Sequence, residues 1–378
     1  MTAQPRLPAL DGLRALAILL VAVSHFGDLV DWHWVPGSLG VTIFFFISGF
    51  IITRLLLGEI ASTGRLDLRA FYIRRMFRLA PAMLVFIGVS CAALAAVGVT
   101  ISGGSVAAAL LYVANYYAIF STTPPLDTFA VVSPLAVLWS LAVEEHFYLL
   151  FPAVLILYRK SPVALTRALT AFVVASLLWR CWLAFGVGLA NLPGNRILMA
   201  TDTRLDSIAY GCLLSVLVFR AGALRDGVWA RRLDAGSQPA MVVAGLALLV
   251  LSLTVRNAEF KETLRYSLQG LALVPLFCAL FWKLAPMVAL RAVLENPSVV
   301  FFGALSYSFY LYHLLGLALV KLLWPDALPW VKVLATSGLG LAMALVSYHV
   351  VETPSRRLGG RWAASLRTAT APEPRLRV

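Results

Sequence analysis

Residues 39–57 of this chain read LGVTIFFFISGFIITRLLL, an apolar run in which Arg54 is the one charged side chain. About 20 apolar residues in a helix cross the roughly 30 Å hydrocarbon core of a bilayer. A run of this length therefore predicts a membrane-spanning helix. Comparable runs recur before and after it, so this stretch indicates the class of the whole protein.

The composition agrees with that interpretation. Of 378 residues, 61% are hydrophobic and 13% are charged, against roughly 25% charged in an ordinary soluble domain. The mean hydropathy is +0.86. The net charge is +13. We expect the excess of Lys and Arg to lie in loops that orient the helices, because basic loop residues set the topology of membrane proteins. The expected partner is a lipid bilayer, and nucleic acid is not expected.

Hydropathy predicts an all-α polytopic membrane protein with ten transmembrane helices. The predicted spans lie near 13–31, 39–57, 79–98, 138–158, 168–188, 204–220, 239–256, 266–283, 299–320 and 331–351. An eleventh apolar stretch, near 104–120, leaves open whether the chain crosses once more.

The distribution of Lys and Arg decides between the two topologies. With ten spans, twenty-one loop Lys and Arg face one side and five face the other. If 104–120 also crossed, the split would become eleven against fifteen. Because basic loops stay in the cytoplasm, we predict a protein of the cytoplasmic membrane with both termini inside. The segment 104–120 is then interfacial or re-entrant.

The chain is predicted to hold one membrane-embedded domain, 1–358, and a basic, disordered cytoplasmic tail, 359–378. The first apolar run contains Arg14 and His25 and has no processing site, so we interpret it as the first helix rather than a signal peptide. The four cysteines lack the spacing of a metal site, and no metal is expected.

Arg14 and His25 are ionisable residues inside the first predicted span, where a charge costs about 2.5 to 3.5 kcal/mol. Their spacing places them within about 20° of the same helix face and about 16.5 Å apart along the axis. A guanidinium suits a bidentate contact with phosphate, and an imidazole suits proton transfer. A structural alternative stays open, in which Arg14 reaches the headgroups and His25 bonds a neighbouring helix.

The run WSLAVEEHFY, residues 139–148, places Ser140, Glu144 and Glu145 in another apolar span. Adjacent carboxylates repel one another, so a nearby cation is expected. Adjacent helical positions diverge by about 100°, so one carboxylate can orient a histidine while the other anchors an arginine. Spacing does not rank the two, and an interfacial pair favoured by the helix dipole is the alternative.

The run FYIRRMFRLAP, residues 71–81, carries a basic cluster. Arg74 and Arg78 stand four positions apart on one helix face, and Arg75 flanks them. Because Arg14 is predicted on the same side of the membrane, we expect this cluster to bind the phosphates of a cytoplasmic cofactor. A membrane anchor of the inside-positive kind is the alternative.

Two further groups of polar residues lie inside predicted spans. Arg204 and Asp206 begin one helix and can pair with each other or reach the cleft. Tyr310 and His313 share a helical stripe with Ser306. A stripe of this kind fits substrate contact and hydrogen bonding between helices about equally.

These segments, taken in order, resemble the acyltransferase-3 family of integral-membrane O-acyltransferases. The resemblance covers about residues 8–358. Its motifs are Leu10 to Ala15 with His25 in R-x10-H form, Gly40 to Phe50, Arg74 to Pro81, Trp139 to Tyr148, Thr203 to Asp206, Ser306 to His313, and Glu352 with Pro354. His146 departs from the pattern, because many relatives carry glutamine there. Some relatives also append a periplasmic SGNH-type domain, so here we expect transfer within the membrane domain.

The resemblance implies transfer of an acyl group from acyl-CoA to a hydroxyl of a carbohydrate or related acceptor, which includes glycosylated and macrolide-type molecules. Acetyl-CoA is the default co-substrate. The family also implies that His25 and Arg14 are needed for activity.

Residue roles follow from this resemblance together with the charges. We expect acyl-CoA phosphates to meet the guanidiniums of Arg14, Arg74, Arg75 and Arg78. His25 is expected to act as general base, with Glu144 or Glu145 holding its tautomer, or to take the acyl group first as an acyl-imidazole. The residues expected to contact substrate are Ser140, Arg204, Asp206, Tyr310 and His313.

Two other classes of protein remain as alternatives. A secondary transporter of a polar or anionic small molecule would also bury ionisable residues, although the sequence shows neither matched halves nor paired broken helices. A non-catalytic membrane scaffold would tolerate the loss of His25.

Overall fold

The structure, a computed structural model, describes residues 7–32, 34–128, 131–220, 237–282 and 284–369. Within these ranges the chain forms helices joined by loops and turns, and it forms no strand. The α-helices are α1 (Pro8–Phe26), α2 (Gly37–Thr63), α3 (Leu68–Ala96), α4 (Gly103–Leu110), α5 (Ala114–Phe120), α6 (Leu138–Tyr158), α7 (Pro162–Cys181), α8 (Arg196–Met199), α9 (Thr201–Arg220), α10 (Ser237–Thr254), α11 (Ala258–Glu262), α12 (Leu264–Phe281), α13 (Val288–Leu294), α14 (Pro297–Leu323), α15 (Pro329–Ser347) and α16 (Thr353–Ala369).

In the described part of the chain, eight helical segments are long and apolar enough to cross a membrane. They are Pro8–Leu29, Gly37–Thr63, Leu68–Ala96, Pro134–Tyr158, Pro162–Asn191, Leu264–Phe281, Pro297–Leu323 and Pro329–Leu366. Each coincides with a predicted span, so the prediction of an all-α, multi-pass membrane protein is confirmed.

The predicted count of ten spans is not confirmed. Helix α9 carries Asp202, Arg204 and Asp206 in its first two turns, and the apolar stretch of α10, Gln238–Thr254, is shorter than the eight spans. The segment 104–120 forms two short helices, α4 of 8 residues and α5 of 7 residues. At about 1.5 Å per residue neither is long enough to cross a bilayer.

The C-terminal segment differs from its prediction. Residues 353–369 form α16, although the disordered tail was predicted to begin at 359; residues 370–378 lie outside the described ranges. Helix α16 packs on α3, where the rings of Trp362 and Phe77 meet edge to face with centroids 5.6 Å apart. Gly359 lies against Phe77 as well. This packing explains the order of a segment whose charge alone suggested a solvated tail.

Several basic loop residues used for the topology also lie outside the described ranges, namely Arg6, Arg225, Arg231, Arg232, Lys283, Arg375 and Arg377.

Helix α2 lies at the centre of the bundle and approaches α9 backbone to backbone. A Cβ on Gly49 would lie 2.0 Å from the carbonyl oxygen of Ile208, and a Cβ on Gly211 would lie 2.0 Å from that of Phe46. Small residues permit such close approach between membrane helices. The other face of α2 is thereby left to line a cavity through Phe44, Phe45 and Ser48.

The close approach of α2 and α9 gives the first prediction. Gly211→Ala should destabilise the protein by about 1 to 3 kcal/mol, because the added methyl group meets backbone that cannot move aside. The measurement is thermal unfolding of the purified protein in detergent. Gly88→Ala on α3 is the matched control, because its added Cβ has no atom within 4 Å. Equal melting temperatures for the two variants would contradict the packing described.

Candidate functional site

A cavity of about 90 Å³ lies where α1, α2, α3, α6 and α14 meet. Its lining gathers many of the polar residues that the sequence analysis selected. The polar lining residues are Arg14, Ser48, Arg75, Arg78, Ser140, Glu144, Tyr148, Ser306, Tyr307 and Tyr310.

Helical periodicity explains why these residues converge. On α6, the lining residues Ser140, Glu144 and Tyr148 recur at every fourth position and therefore share one face. Arg75 and Arg78 on α3 are three positions apart and share a face in the same way. Each helix turns a polar stripe inward, and the bundle encloses the stripes away from lipid.

One part of the cavity lining is strongly basic. Arg14 pairs with Asp11, with Nη1 and Oδ1 3.1 Å apart. The Arg75 guanidinium lies over the Tyr148 ring, 4.9 Å from its centroid. Among the described residues neither Arg75 nor Arg78 forms an ion pair. Positive charge therefore exceeds negative charge here, an arrangement that favours an anionic ligand.

Arg74 lies apart from this group. Its Nη2 is 3.7 Å from an oxygen of Glu59, and the residue does not line the cavity. Of the four arginines predicted to meet phosphate, the structure therefore brings Arg14, Arg75 and Arg78 together and directs Arg74 elsewhere. The reason is geometric, because Arg74 is on the α3 face that meets the end of α2.

The structure separates the two glutamates. Glu144 lies on the cavity wall, where Ser48 donates to Oε1 at 2.7 Å and the Tyr148 hydroxyl lies 3.3 Å from Oε2. Glu145, one position further along the helix, does not line the cavity. Glu144 is therefore the carboxylate that can influence a ligand in the cavity.

His25 does not bond to either glutamate, contrary to expectation. Its Nδ1 lies 3.0 Å from Nε2 of His313, and the ring planes are inclined by 30° with centroids 5.1 Å apart, so the rings meet edge to edge. Glu144 is held by Ser48 and Tyr148 instead. The partner that orients His25 is therefore a second histidine from α14.

Tyr310 connects this histidine pair with the cavity. Its backbone carbonyl lies 2.7 Å from Nδ1 of His313, while its hydroxyl lies in the cavity, 2.6 Å from Ser140 Oγ. The same hydroxyl donates to the carbonyl of Val137 at 3.0 Å. The predicted stripe on α14 therefore serves two places. Ser306 and Tyr310 line the cavity, whereas His313 hydrogen-bonds to His25.

Arg204 and Asp206 lie outside the cavity, in a fully buried network. Asp206 pairs with Arg180 at 2.7 Å rather than with Arg204. Arg204 lies 3.8 Å above the Tyr266 ring and donates to Thr42 at 3.1 Å. These contacts join α2, α7, α9 and α12, so the structure places the pair in a helix-packing network.

Sequence reasoning missed some of the residues that shape these two regions. Ser48, Tyr148 and Tyr307 line the cavity; each lies within a family motif, but neither charge nor spacing gave it a role. The spacing could have indicated Tyr148, because it follows Glu144 by one helical turn and therefore shares its helix face. Arg180 also gave a signal, because it is a charge inside the predicted span 168–188. In the described ranges no group of three or more His, Cys, Asp or Glu side chains is placed to hold a metal ion.

The buried ion pair gives the second prediction. Arg180→Met leaves the Asp206 carboxylate buried without its partner and should cost about 3 to 5 kcal/mol in the free energy of unfolding. Denaturant titration in detergent measures the change. Glu295→Ala is the control, because its pair with Arg291 is partly exposed and should contribute about 1 kcal/mol or less. A loss for Arg180→Met no larger than the control's would contradict the network.

Comparison with known proteins identifies related sequences. The profile of a family described as an acyltransferase domain matches residues 7–349. A Staphylococcus aureus (strain COL) protein named "Putative O-acetyltransferase" is 30% identical over 366 residues. The O-acetyltransferase OatA of Staphylococcus aureus (strain NCTC 8325 / PS 47) is 30% identical over 368 residues. Both alignments cover 93% of this chain and 58% of the relative, so the chain spans less than two thirds of these curated relatives. No solved structure matches the chain significantly.

Proposed function

The chain belongs to the acyltransferase-3 family, and from this premise we propose that it is a membrane O-acyltransferase that uses acyl-CoA. One observation carries the proposal. The cavity that holds unpaired guanidiniums also holds the Ser140 and Tyr310 hydroxyls, and Tyr310 connects to the His25–His313 pair. The cavity proposed to bind an anion is therefore connected, through Tyr310 and His313, to a candidate base, His25, which does not itself line the cavity.

The donor is expected to enter at the basic part of the cavity. CoA carries phosphates, and guanidiniums bind phosphate through paired, charge-assisted hydrogen bonds. Arg75 and Arg78 are suited to this role because they have no carboxylate partner among the described residues. The bias of basic loops supports an opening on the cytoplasmic side of the cytoplasmic membrane, with both termini inside.

His25 is the proposed general base. It removes the proton from the acceptor hydroxyl, whose oxygen attacks the thioester carbonyl. The carbon–sulfur bond breaks, an ester forms, and the proton passes from His25 to the departing CoA thiolate. In a covalent variant of this scheme, His25 takes the acyl group first as an acyl-imidazole and then passes it to the hydroxyl.

The proposed acyl group is acetyl, because the matched relatives are named as O-acetyltransferases. The proposed acceptor is a carbohydrate or a glycosylated small molecule, which rests on the family resemblance. Ser140 and Tyr310 are the hydroxyls best placed to contact the reacting groups, since both line the cavity.

The donor site gives the third prediction. Arg75→Gln and Arg78→Gln should each raise the KM for acetyl-CoA about 10- to 100-fold, because each removes a charged hydrogen bond worth about 1.5 to 3 kcal/mol. Steady-state release of free thiol by the purified protein measures this. With acetyl-pantetheine, which lacks the nucleotide phosphates, the same substitutions should change KM much less.

Arg74→Gln is the matched control, because Arg74 is in the same basic run and pairs with Glu59 outside the cavity. It should leave the KM for acetyl-CoA within about threefold of the wild-type value. An equal effect of Arg74→Gln and Arg75→Gln would indicate general surface attraction and would contradict a phosphate site in the cavity.

His25 gives the fourth prediction. His25→Ala should abolish thioester cleavage while the amount of folded protein in the membrane is unchanged. His349→Gln, on an exposed histidine, is the control and should retain activity. Purified protein that transports a solute yet never cleaves acetyl-CoA with any hydroxyl acceptor would favour the transporter instead.

Rapid-quench trapping separates the two forms of the chemistry. Incubation with radiolabelled acetyl-CoA alone should leave label on His25 if the acyl-imidazole forms. Complete dependence of thioester cleavage on the acceptor would exclude this covalent variant and support direct attack.

A further inference from the structure

We propose that His313 is a positioning residue that fixes His25 in a single tautomer, with the proton on Nδ1 and the lone pair on Nε2. The tautomer itself follows from hydrogen-bond geometry. Its catalytic consequence rests on the proposed function, in which His25 takes a proton from the acceptor hydroxyl.

The backbone carbonyl of Tyr310 determines which nitrogen of His313 carries the proton. It lies 2.7 Å from Nδ1 of His313, and a carbonyl oxygen can only accept a hydrogen bond. Nδ1 of His313 therefore carries a proton. In a neutral imidazole the other nitrogen is then an acceptor, so Nε2 of His313 presents a lone pair towards His25.

The next contact transmits this choice to His25. Its Nδ1 lies 3.0 Å from Nε2 of His313. Because that Nε2 is an acceptor, Nδ1 of His25 must be the donor. The proton of neutral His25 is then on Nδ1, and Nε2 is left with the lone pair that a general base needs.

The reversed arrangement is unfavourable. If Nε2 of His313 donated to His25, neutral His313 would have an unprotonated Nδ1. Two lone pairs would then face each other across the 2.7 Å between that nitrogen and the Tyr310 carbonyl. A buried polar contact without a proton costs about 1 to 3 kcal/mol, so the first arrangement is the stable one.

Burial keeps His313 neutral and limits its choice of partners. The side chain is fully buried, and the rings of Phe26 and Phe309 pack around it with centroids 6.3 Å away. No carboxylate hydrogen-bonds to either imidazole in the described part of the chain. A doubly protonated His313 would be a buried charge without a counter-ion, which is strongly disfavoured.

His25 is more open than its partner. It is half-buried, whereas His313 is fully buried, so the proposal assigns contact with the substrate hydroxyl to Nε2 of His25. When Nε2 takes the proton, His25 becomes an imidazolium whose Nδ1–H still donates to neutral His313. Its Nδ1 bonds to His313 rather than to a carboxylate, unlike the histidine of a Ser-His-Asp triad, and Asp28 adds a Coulomb attraction to the cation. The arrangement therefore favours rapid return of the proton, here to the CoA thiolate.

The test reads the tautomer directly. The chain has five histidines, so solid-state NMR of ¹⁵N-histidine-labelled protein in bilayers can assign each ring by substitution. Wild-type His25 should show a protonated Nδ1 and an unprotonated Nε2. In His313→Leu, which cannot accept a hydrogen bond, His25 should become a mixture of tautomers. A wild-type His25 protonated on Nε2, or a tautomer unchanged in His313→Leu, would overturn the proposal.

Activity provides a second readout. His313→Gln can present Oε1 to His25 and should keep kcat within about tenfold of wild type. His313→Leu should lower kcat by about 100-fold or more, the usual contribution of a positioned general base, with little change in the KM for acetyl-CoA. Equal losses in the two variants, at equal melting temperatures, would contradict a positioning role.

These results separate the two proposals. If the NMR signals show the expected tautomer while wild-type protein transfers no acyl group to any acceptor, the proposed function fails and the histidine arrangement stands. If the protein transfers acyl groups but the tautomer is the reverse, the proposed function stands and the role of His313 is wrong.

Discussion

The cost of placing charge in an apolar bundle is the constraint on which this structure depends. A charged or strongly polar group in the membrane needs a partner, because lipid offers no hydrogen bonds. Asp206 has Arg180, Glu144 has Ser48 and a nearby Tyr148 hydroxyl, and His25 has His313. Arg75 and Arg78, in contrast, form no ion pair with a carboxylate among the described residues. Both guanidiniums line the cavity, and this surplus of positive charge is the physical basis for proposing an anionic substrate.

The packing of the helices fixes where these polar groups lie along the bundle. Helix α1 is continuous over Pro8–Phe26, so it places Arg14 and His25 about 16.5 Å apart along one axis. Backbone contact at Gly49 and Gly211 fixes α2 on α9. The remaining face of α2 then closes the cavity against α3, α6 and α14. The guanidinium of Arg14 and the imidazole of His25 are thus held at different depths by one continuous helix, as the proposed transfer from a cytoplasmic donor requires.

The sequence predicts the parts of this arrangement that depend on one helix at a time. Apolar runs predict the eight confirmed spans. Helical spacing paired Arg74 with Arg78, whereas the structure brings Arg75 and Arg78 to the cavity and directs Arg74 to Glu59. Contacts between helices depend on distant segments, and sequence spacing says nothing about them. The pairing of His25 with His313 joins residues 288 positions apart, so a nearer carboxylate was the natural expectation. Spacing did not predict the pairing of Arg180 with Asp206 for the same reason, because the two residues lie on different helices. The order of helix α16 likewise depends on another helix, through its packing on Phe77.

The most direct test of the central claim is an experimental structure of the full chain with CoA bound. The account predicts density for the phosphates against Arg75 and Arg78, with Arg14 beside them. It also predicts that the thiol end points towards Ser140 and Tyr310. Phosphates bound to the exposed arginines of α16, with the cavity filled by lipid, would contradict the account.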